Sequence, residues 1–264
     1  MTAERSPTLL CEVGMGVATL TLNRPAALNA LNLELKAALA AAITELRSRA
    51  DVRAIILTGA GRGFCSGGDI KEMDAGRTAQ DTRARLQALH RDIIEPLAAI
   101  EKPVIAALNG VAAGAGLSLA LACDVVFASG EALLSLAFAK RGLVPDAGAA
   151  YRLVRLVGVA RAKELAFSAR TIDANEAARL GLVQRVYPAG ELHAQTQAYA
   201  RELAAGATVA IGLTKRLLDL APHSTYEAMT EHEIGAAVQA IATQDHAEAL
   251  RAFAGKRPAN FQGR

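Results

Sequence analysis

One carboxylate in the segment Lys140–Ala150, KRGLVPDAGAA, is of a type and in a setting that could do chemistry. Asp146 lies between a proline and a run of small residues. Such a carboxylate can act as a general acid or base, and apolar neighbours such as Phe138 and Leu143, if they face it, would raise its pKa. It can also be the N-cap of a following helix, AGAAYRLVRLVG. The residue alone leaves both interpretations open.

Two glycine-rich segments, Thr58–Met73 and Asn109–Ala120, each join a predicted strand to a predicted helix. Glycine lets backbone N–H groups approach a ligand, so one N–H from each loop could form an oxyanion hole if the fold brings the loops together. A nucleotide fold is a poor interpretation, because Phe64 occupies the position of the third glycine of a dinucleotide pattern and no Walker lysine pattern is present. In the first loop we also expect Asp69 to cap a helix and Glu72 to complete a capping box.

Several classes of function find no support in the remaining residues. Ser118 has no nearby histidine, and its surroundings, GLSLA, depart from the nucleophile elbow G-x-S-x-G. The net charge of +3 is spread along the chain, without the clustered basic face that nucleic-acid binding requires. No metal-ligand spacing occurs among the five histidines, which are His90, His193, His223, His232 and His246.

The elements that must position these residues alternate along the chain. TLLCEV and VATLTL predict a β-hairpin, and Leu35, Leu39, Ile43 and Leu46 lie on one face of a predicted helix with Asn32 as its N-cap. Strands VRAIILTG, PVIAALNG and DVVFA follow, with a helix ARLQALHRDIIEPLAAI between the first two. This alternation indicates an α/β fold with ββα or βαβ layering. From about Ala147 onward the pattern predicts almost only helix.

One apolar stretch, Pro103–Cys123, is as long as a membrane span but contains Asn109 and several glycines and lacks a basic flank. We expect a buried strand, a glycine loop and a buried helix there instead. The first ten residues, MTAERSPTLL, lack the apolar run of a signal peptide. Three widely spaced cysteines form no C-x-x-C pair, which favours a reduced, cytoplasmic protein.

Five segments in order give the chain a resemblance to a known family. They are LNRPAALNALN, FCSGGDIKEM, KPVIAALNGVAAGAG, GLVPDAGAA and ARLGLVQRVYP. Together they resemble the crotonase superfamily of enoyl-CoA hydratases and isomerases over nearly the full length. The resemblance implies a spiral of ββα units (residues 1–200) that holds the acyl-CoA site, followed by helices (residues 201–264) that mediate a homotrimer or hexamer.

The resemblance also implies roles for particular positions. The two oxyanion-hole amides fall on Gly68 and Ala115, which would hold a thioester carbonyl as it becomes an enolate. The coenzyme A moiety of the substrate would be held largely by main-chain contacts of two segments, whose residues are Ala26, Ala27, Leu28, Ser66, Asp69 and Ile70. Coenzyme A would enter as part of the substrate, and no redox cofactor or metal ion is implied.

The chain departs from the family pattern at two acids. Hydratases resembling it carry glutamates where Ser118 and Phe138 stand here, and adding water to a conjugated double bond needs a positioned acid and base. Asp146 instead matches the catalytic aspartate of some isomerases, including the ring 1,2-epoxyphenylacetyl-CoA isomerases of phenylacetate degradation. The resemblance therefore favours an acyl-CoA isomerase with Asp146 as its acid/base, acting on a ring epoxide or converting 3-enoyl-CoA to 2-enoyl-CoA.

Three alternatives stay open. The protein could be a weak enoyl-CoA hydratase, or Asp146 could be a nucleophile, as in dehalogenases of similar fold. It could also be a non-catalytic acyl-CoA binding protein, since both hydratase acids are replaced. The sequence fixes neither the acyl group nor the choice between trimer and hexamer.

Overall fold

The computed structural model describes residues 6–72 and 78–264, which form two β-sheets surrounded by helices. The strands are β1 Leu9–Gly14, β2 Val17–Leu22, β3 Ala54–Gly59, β4 Gly63–Cys65, β5 Val104–Leu108, β6 Val111–Ala113, β7 Val125–Ser129, β8 Leu133–Ser135, β9 Thr171–Asp173 and β10 Arg185–Tyr187. The helices are α1 Leu33–Ser48, α2 Ala79–Leu89, α3 Glu95–Ala99, α4 Ala115–Leu121, α5 Ala149–Ser168, α6 Ala174–Arg179, α7 Leu192–Ala205, α8 Thr208–Leu220, α9 Tyr226–Ile241 and α10 Gln244–Ala254.

From β3 to β8, consecutive strands alternate between the two sheets. The larger sheet has the order β1-β2-β3-β5-β7-β10, and the smaller has the order β4-β6-β8-β9. Each pair β3–β4, β5–β6 and β7–β8 thus contributes one strand to each sheet before the chain turns into helix. Apart from the antiparallel pairs β1–β2 and β8–β9, the paired strands are parallel. This repetition is the predicted series of ββα units.

Local sequence explains the first elements well. The predicted hairpin is formed by β1 and β2, and the following helix α1 begins after Asn32, whose side chain accepts a hydrogen bond from the Leu35 N–H at 2.9 Å. The four predicted apolar residues of α1 are all buried against the sheet. Burial of each such side chain stabilises the fold by about 1.5–3 kcal/mol.

The core has two parts, one on each face of the larger sheet. Aliphatic side chains dominate the larger part, which includes the buried residues of α1 together with residues of β2 and β3. On the opposite face, α7 packs through Leu192, Ala200 and Ala204 against Ile56, Ile105 and Phe127. The predicted boundary at residue 200 falls inside α7 and stays a prediction.

The stretch Pro103–Cys123 forms the predicted strand β5 and helix α4, and a second short strand, β6, lies where the sequence predicts only a loop. Its strand and helix are buried in the core. Among the residues that the structure describes, no helix combines the length and the apolar composition that a membrane crossing requires.

Three local expectations are wrong. The part after Ala147 contains two short strands in addition to helices. Strand β9 pairs with β8 at the edge of the smaller sheet, and β10 pairs with β7 at the edge of the larger sheet. The predicted helix from residue 84 to 100 is interrupted by a π-helical turn, His90–Ile94, between α2 and α3. Glu72 does not complete a capping box, because its carboxylate accepts a hydrogen bond from the Leu33 N–H at 2.7 Å, at the start of α1.

The last residues of the chain fold back onto the larger sheet. Asp245, buried in α10, accepts hydrogen bonds from the N–H groups of Gln262 at 2.6 Å and Gly263 at 2.8 Å. Arg53, just before β3, donates to the Phe261 carbonyl at 3.0 Å. The C-terminal segment is thereby connected to both α10 and the start of β3.

Candidate active site

Three parallel strands of the smaller sheet carry the predicted site residues. The order β4-β6-β8 places the carboxyl ends of these strands side by side. Gly68 follows β4, Ala115 follows β6, and Phe138 and Asp146 follow β8. Residues that are far apart in sequence therefore meet at one edge of the sheet.

Gly67 and Gly68 form the first loop of the site. Gly67 has a positive φ of 101°, and a Cβ at this position would lie 2.9 Å from the Ala113 carbonyl oxygen and 3.4 Å from the Ala115 nitrogen. A glycine is needed here because backbone from the second loop occupies that space. The sequence leaves open whether the two glycine-rich loops meet, and the structure shows them in contact.

The N–H groups at Gly68 and Ala115 are both available to a ligand. Ala115 is the first residue of α4, where a helix leaves its N–H groups without an intrahelical acceptor. Among the described residues, no hydrogen bond uses the N–H of Gly68 or that of Ala115. The pair offers two donors of the kind that stabilise a developing oxyanion.

Asp146 does not cap the helix that follows it. Helix α5 begins at Ala149 with Gly148 as its N-cap, and no side chain caps it. The Oδ1 atom of Asp146 is buried and has no hydrogen-bond partner among the residues that the structure describes. The N-cap interpretation is therefore wrong, and the side chain lines the same cleft as Gly68 and Ala115.

The surroundings of Asp146 favour its neutral form. Burial raises the pKa of the carboxyl, and the nearby charge of His90, on the π-helical turn, offsets only part of this. Phe138 and Leu143, whose positions the sequence leaves open, line the cleft together with Asp146. A carboxyl with a raised pKa can both accept and return a proton near neutral pH.

The cleft that these residues share has a volume of about 350 Å³. Its apolar walls come from Leu31, Leu86, Leu89, Ala137, Phe138 and Leu143. Its polar lining, besides the loops, consists of Lys36, Glu72, Thr82, Arg85 and Arg141. The cleft can thus bury an apolar group next to the two N–H donors while charged groups stand at its border.

The two hydratase positions differ in where their side chains lie. The Phe138 side chain is buried in the cleft wall, 3.9 Å from where a Gly114 Cβ would be. Ser118 is fully buried in α4, does not line the cleft and donates to the Gly114 carbonyl at 3.2 Å. An apolar ring thus stands beside the start of α4.

The residues predicted to hold coenzyme A divide into two groups. Ser66 and Asp69 line the cleft, whereas Ile70 and the segment 26–28 do not. The side chain of Ile70 is 64% exposed. Ala27 and Leu28 still adjoin the site, because their carbonyls accept hydrogen bonds from the Ser66 hydroxyl at 3.3 Å and the Ser66 N–H at 2.9 Å.

Several charged residues near the site were missed by sequence reasoning. Arg85 pairs with Glu72 at 2.9 Å, and Lys36 lies 3.7 Å from the same carboxylate. Arg85 lies on α2, a helix whose position relative to the loops cannot be inferred from periodicity. His90 has no metal-ligand spacing to mark it in the sequence, and the only clue to its position is that it lies on a predicted helix.

Comparisons with known proteins show the family to which the chain belongs. The chain matches the family described as Enoyl-CoA hydratase/isomerase over residues 12–264. It is 38% identical over 258 residues to 1,2-epoxyphenylacetyl-CoA isomerase of Escherichia coli (strain K12), across 97% of this chain and 98% of that protein. It is 37% identical over 242 residues to short-chain-enoyl-CoA hydratase of Clostridium acetobutylicum, across 91% of this chain and 92% of that protein.

A solved structure has the same fold. Enoyl-CoA hydratase from Bacillus anthracis superposes with a TM-score of 0.93 at 34% identity, over 97% of this chain and 100% of that chain. The protein belongs to the enoyl-CoA hydratase/isomerase family, and the predicted crotonase-like α/β fold is confirmed.

Proposed function

We propose that this protein is an acyl-CoA isomerase in which Asp146 is the acid/base. The observation that carries the proposal is that Asp146 lines the same cleft as Gly68 and Ala115, while its buried Oδ1 atom has no hydrogen-bond partner among the described residues. A buried polar atom without a partner costs free energy, so it calls for an explanation. A substrate C–H bond brought against it would supply one.

The proposed reaction is a proton transfer within a bound thioester. The N–H groups of Gly68 and Ala115 donate to the thioester oxygen, and the Asp146 carboxylate removes a proton from C2 of a 3-enoyl-CoA. The C2–H electron pair becomes part of a dienolate whose charge rests on that oxygen. Asp146 then returns the proton to C4, which leaves the conjugated 2-enoyl-CoA. The reaction requires no redox cofactor or metal ion.

A related substrate is a ring 1,2-epoxide of phenylacetyl-CoA. The same oxyanion donors would stabilise its enolate, and Asp146 would assist opening of the epoxide. The identity to an isomerase named for this substrate favours this second candidate. The apolar wall that includes Phe138 could hold a ring as well as a chain.

Isomerisation is favoured over hydration because, among the described residues that line the cleft, one acid is outside an ion pair. Asp146 is the carboxylate beside the oxyanion donors, whereas Asp69 and Glu72 are engaged by Arg24 and Arg85. Weak hydration, a nucleophilic Asp146 and acyl-CoA binding without turnover remain the alternatives to test. We also propose a cytoplasmic homotrimer or hexamer.

The test is to offer the protein a 3-enoyl-CoA and, separately, a 2-enoyl-CoA while following the absorbance of the conjugated thioester. We expect the 3-enoyl substrate to become conjugated, and Asp146→Asn to lower this rate by about 10²- to 10⁴-fold, the usual contribution of a general acid/base. Glu131→Gln, which alters an exposed carboxylate between β7 and β8, serves as the control and should keep the wild-type rate.

Other outcomes would select an alternative. Hydration of the 2-enoyl substrate regardless of Asp146 would contradict the proposed role of this residue. An acyl-aspartyl adduct trapped at Asp146 would favour the nucleophile. Binding of both thioesters without turnover, also for a ring epoxide, would favour a binding protein.

A further inference from the structure

We propose that Arg24 is a positioning residue that holds the Gly68 N–H in place through an ion pair with Asp69. This inference rests on the oxyanion hole of the proposed function. Arg24 precedes the segment Pro25–Leu31, which lies alongside the Gly68 loop and is bonded to it at several points. Arg24 itself is not among the residues that line the cleft.

The backbone holds Gly68 from both sides. The Leu31 N–H donates to the Gly67 carbonyl at 2.8 Å, and the Asp69 N–H donates to the Leu31 carbonyl at 3.3 Å. Gly68 thus lies between two residues that both form hydrogen bonds with Leu31, and its own N–H is left for a ligand. The direction of that N–H depends on where Leu31 lies relative to Asp69.

The guanidinium group of Arg24 connects the backbone next to Leu31 with the side chain of Asp69. One nitrogen donates to the Asp69 Oδ2 atom at 2.9 Å, and another donates to the carbonyl of Ala30, the residue before Leu31. The ion pair is mostly shielded from water, with the two side chains 20% and 11% exposed. A planar guanidinium can hold both acceptors at a fixed separation, which a single ammonium group cannot do as well.

The other contacts of Arg24 and Asp69 are also made within the site loops. The backbone N–H of Arg24 donates to Oδ1 of Asn29 at 2.8 Å. The buried side-chain amide of Asn29 donates to the Gly63 carbonyl at 2.7 Å, at the start of β4. Asp69 accepts from the Lys71 N–H at 3.1 Å. Burial alone would raise the pKa of Asp69, but the bonds from Arg24 and Lys71 lower it, so Asp69 is an anion at neutral pH.

The test measures carbonyl polarisation separately from turnover. Cinnamoyl-CoA carries no hydrogen on C4 for Asp146 to remove, so it cannot isomerise. It absorbs through its conjugated thioester, whose band moves to longer wavelength when donors bind the carbonyl oxygen. We expect the wild type to shift this band and Arg24→Met to reduce the shift. We also expect Arg24→Met to lower kcat for the 3-enoyl-CoA about 10- to 100-fold, as for a slightly misplaced donor, while KM changes less than about threefold.

Two further variants make the test specific. Arg24→Lys keeps the charge but loses the planar contact with two acceptors, so its band shift should lie between wild type and Arg24→Met; if Arg24→Met does not fold, this variant decides. Arg170→Met is the control, because Arg170 forms comparable ion pairs with Glu164 at 2.7 Å and Glu176 at 2.6 Å and does not line the cleft. It should keep both the shift and kcat.

The outcomes separate this inference from the proposed function. A wild-type shift that Arg24→Met and Arg24→Lys retain, with unchanged kcat, would overturn the role of Arg24 alone. A higher KM with unchanged kcat would also overturn it, since Arg24 would then be a binding group. Absence of any shift in the wild type would overturn the oxyanion hole itself, and the positioning role with it.

Discussion

Burial of the Asp146 carboxyl disfavours its charged form. Among the described residues, no donor forms a hydrogen bond with its buried Oδ1 atom. The folded-state pKa is raised above the unfolded value, so this residue favours folding most at pH values below its unfolded pKa of about 4. That stabilisation is lost as the pH rises through the folded-state pKa. At neutral pH the buried charge therefore destabilises the native state.

Asp146→Asn should accordingly be more stable than the wild type at pH 7, because the amide carries no charge to bury. The difference in melting temperature should shrink as the pH falls towards about 4, and it should level off below that pH, where the wild-type carboxyl is protonated in both states. Thermal unfolding of both proteins between these pH values measures it. A difference that is constant over the range would show that Asp146 is not buried as an ionisable group.

Phe138 should keep water away from the proton that Asp146 carries. Phe138→Leu removes part of the apolar wall and should lower stability by roughly 0.5–3 kcal/mol. If isomerisation is run in D₂O, we expect more deuterium at C4 of the product with this variant, because the carried proton exchanges with solvent before it returns. Phe127→Leu, at a fully buried ring packed against α7, is the control for lost packing. Equal deuterium in all three proteins would contradict the role of Phe138.

Among the elements, those with strong local patterns were predictable from sequence. The hairpin β1–β2 and helix α1 follow from alternation, 3.6-residue periodicity and the Asn32 N-cap. Strands β9 and β10 have three residues each and exist because a sheet edge accepts them, which is a tertiary effect. Similarly, the sequence indicates which loops could form a site, but the pairing of β4 with β6 decides that they meet. The spacing of residues along the sequence also does not predict in which direction the Asp146 side chain points.

The contact between β4 and α4 leaves no room for a side chain at Gly116. A Cβ there would lie 2.2 Å from the Cys65 carbonyl oxygen and 2.8 Å from the Cys65 Cβ. Gly116→Ala should therefore separate the loops that hold Gly68 and Ala115, and lower both the melting temperature and kcat, the latter about 10²-fold or more. Thermal unfolding and the 3-enoyl-CoA assay measure the two effects.

Gly235→Ala is the matched control for this substitution. Gly235 lies inside α9, and a Cβ at this position would have no described atom within 4 Å, so alanine should stabilise the helix by about 0.5–1 kcal/mol. Its kcat should stay at the wild-type value. Wild-type behaviour of Gly116→Ala would show that the loops are not in close contact.

On the scale of the whole molecule, helix α9 exposes an apolar stripe. Ile234, Val238 and Ile241 lie at i, i+4 and i+7 and are 53%, 62% and 61% exposed. Exposed apolar surface of this kind is typical of an interface between protein chains. It supports the trimer or hexamer that the family resemblance implies, and assembly stays a prediction.

Val238→Asp should therefore weaken assembly, because it would bury an unpaired charge in the interface. Sedimentation velocity should show the wild type as a trimer or hexamer and this variant shifted towards smaller species. Gln239→Asp introduces the same charge at the adjacent exposed position and should leave the wild-type distribution unchanged. A wild type that sediments as a monomer at every concentration would remove the assembly from the proposal.

The attachment of the C-terminal segment to Arg53 imposes an order on folding during synthesis. Five strands of the larger sheet, β1, β2, β3, β5 and β7, are complete once Ser129 has left the ribosome, and they can pair early. Arg53 then stands at the start of β3 without its partners, because Gly206 and Phe261 are made later. Its guanidinium group therefore reaches its full set of partners only after Phe261 has left the ribosome, long after these strands can pair.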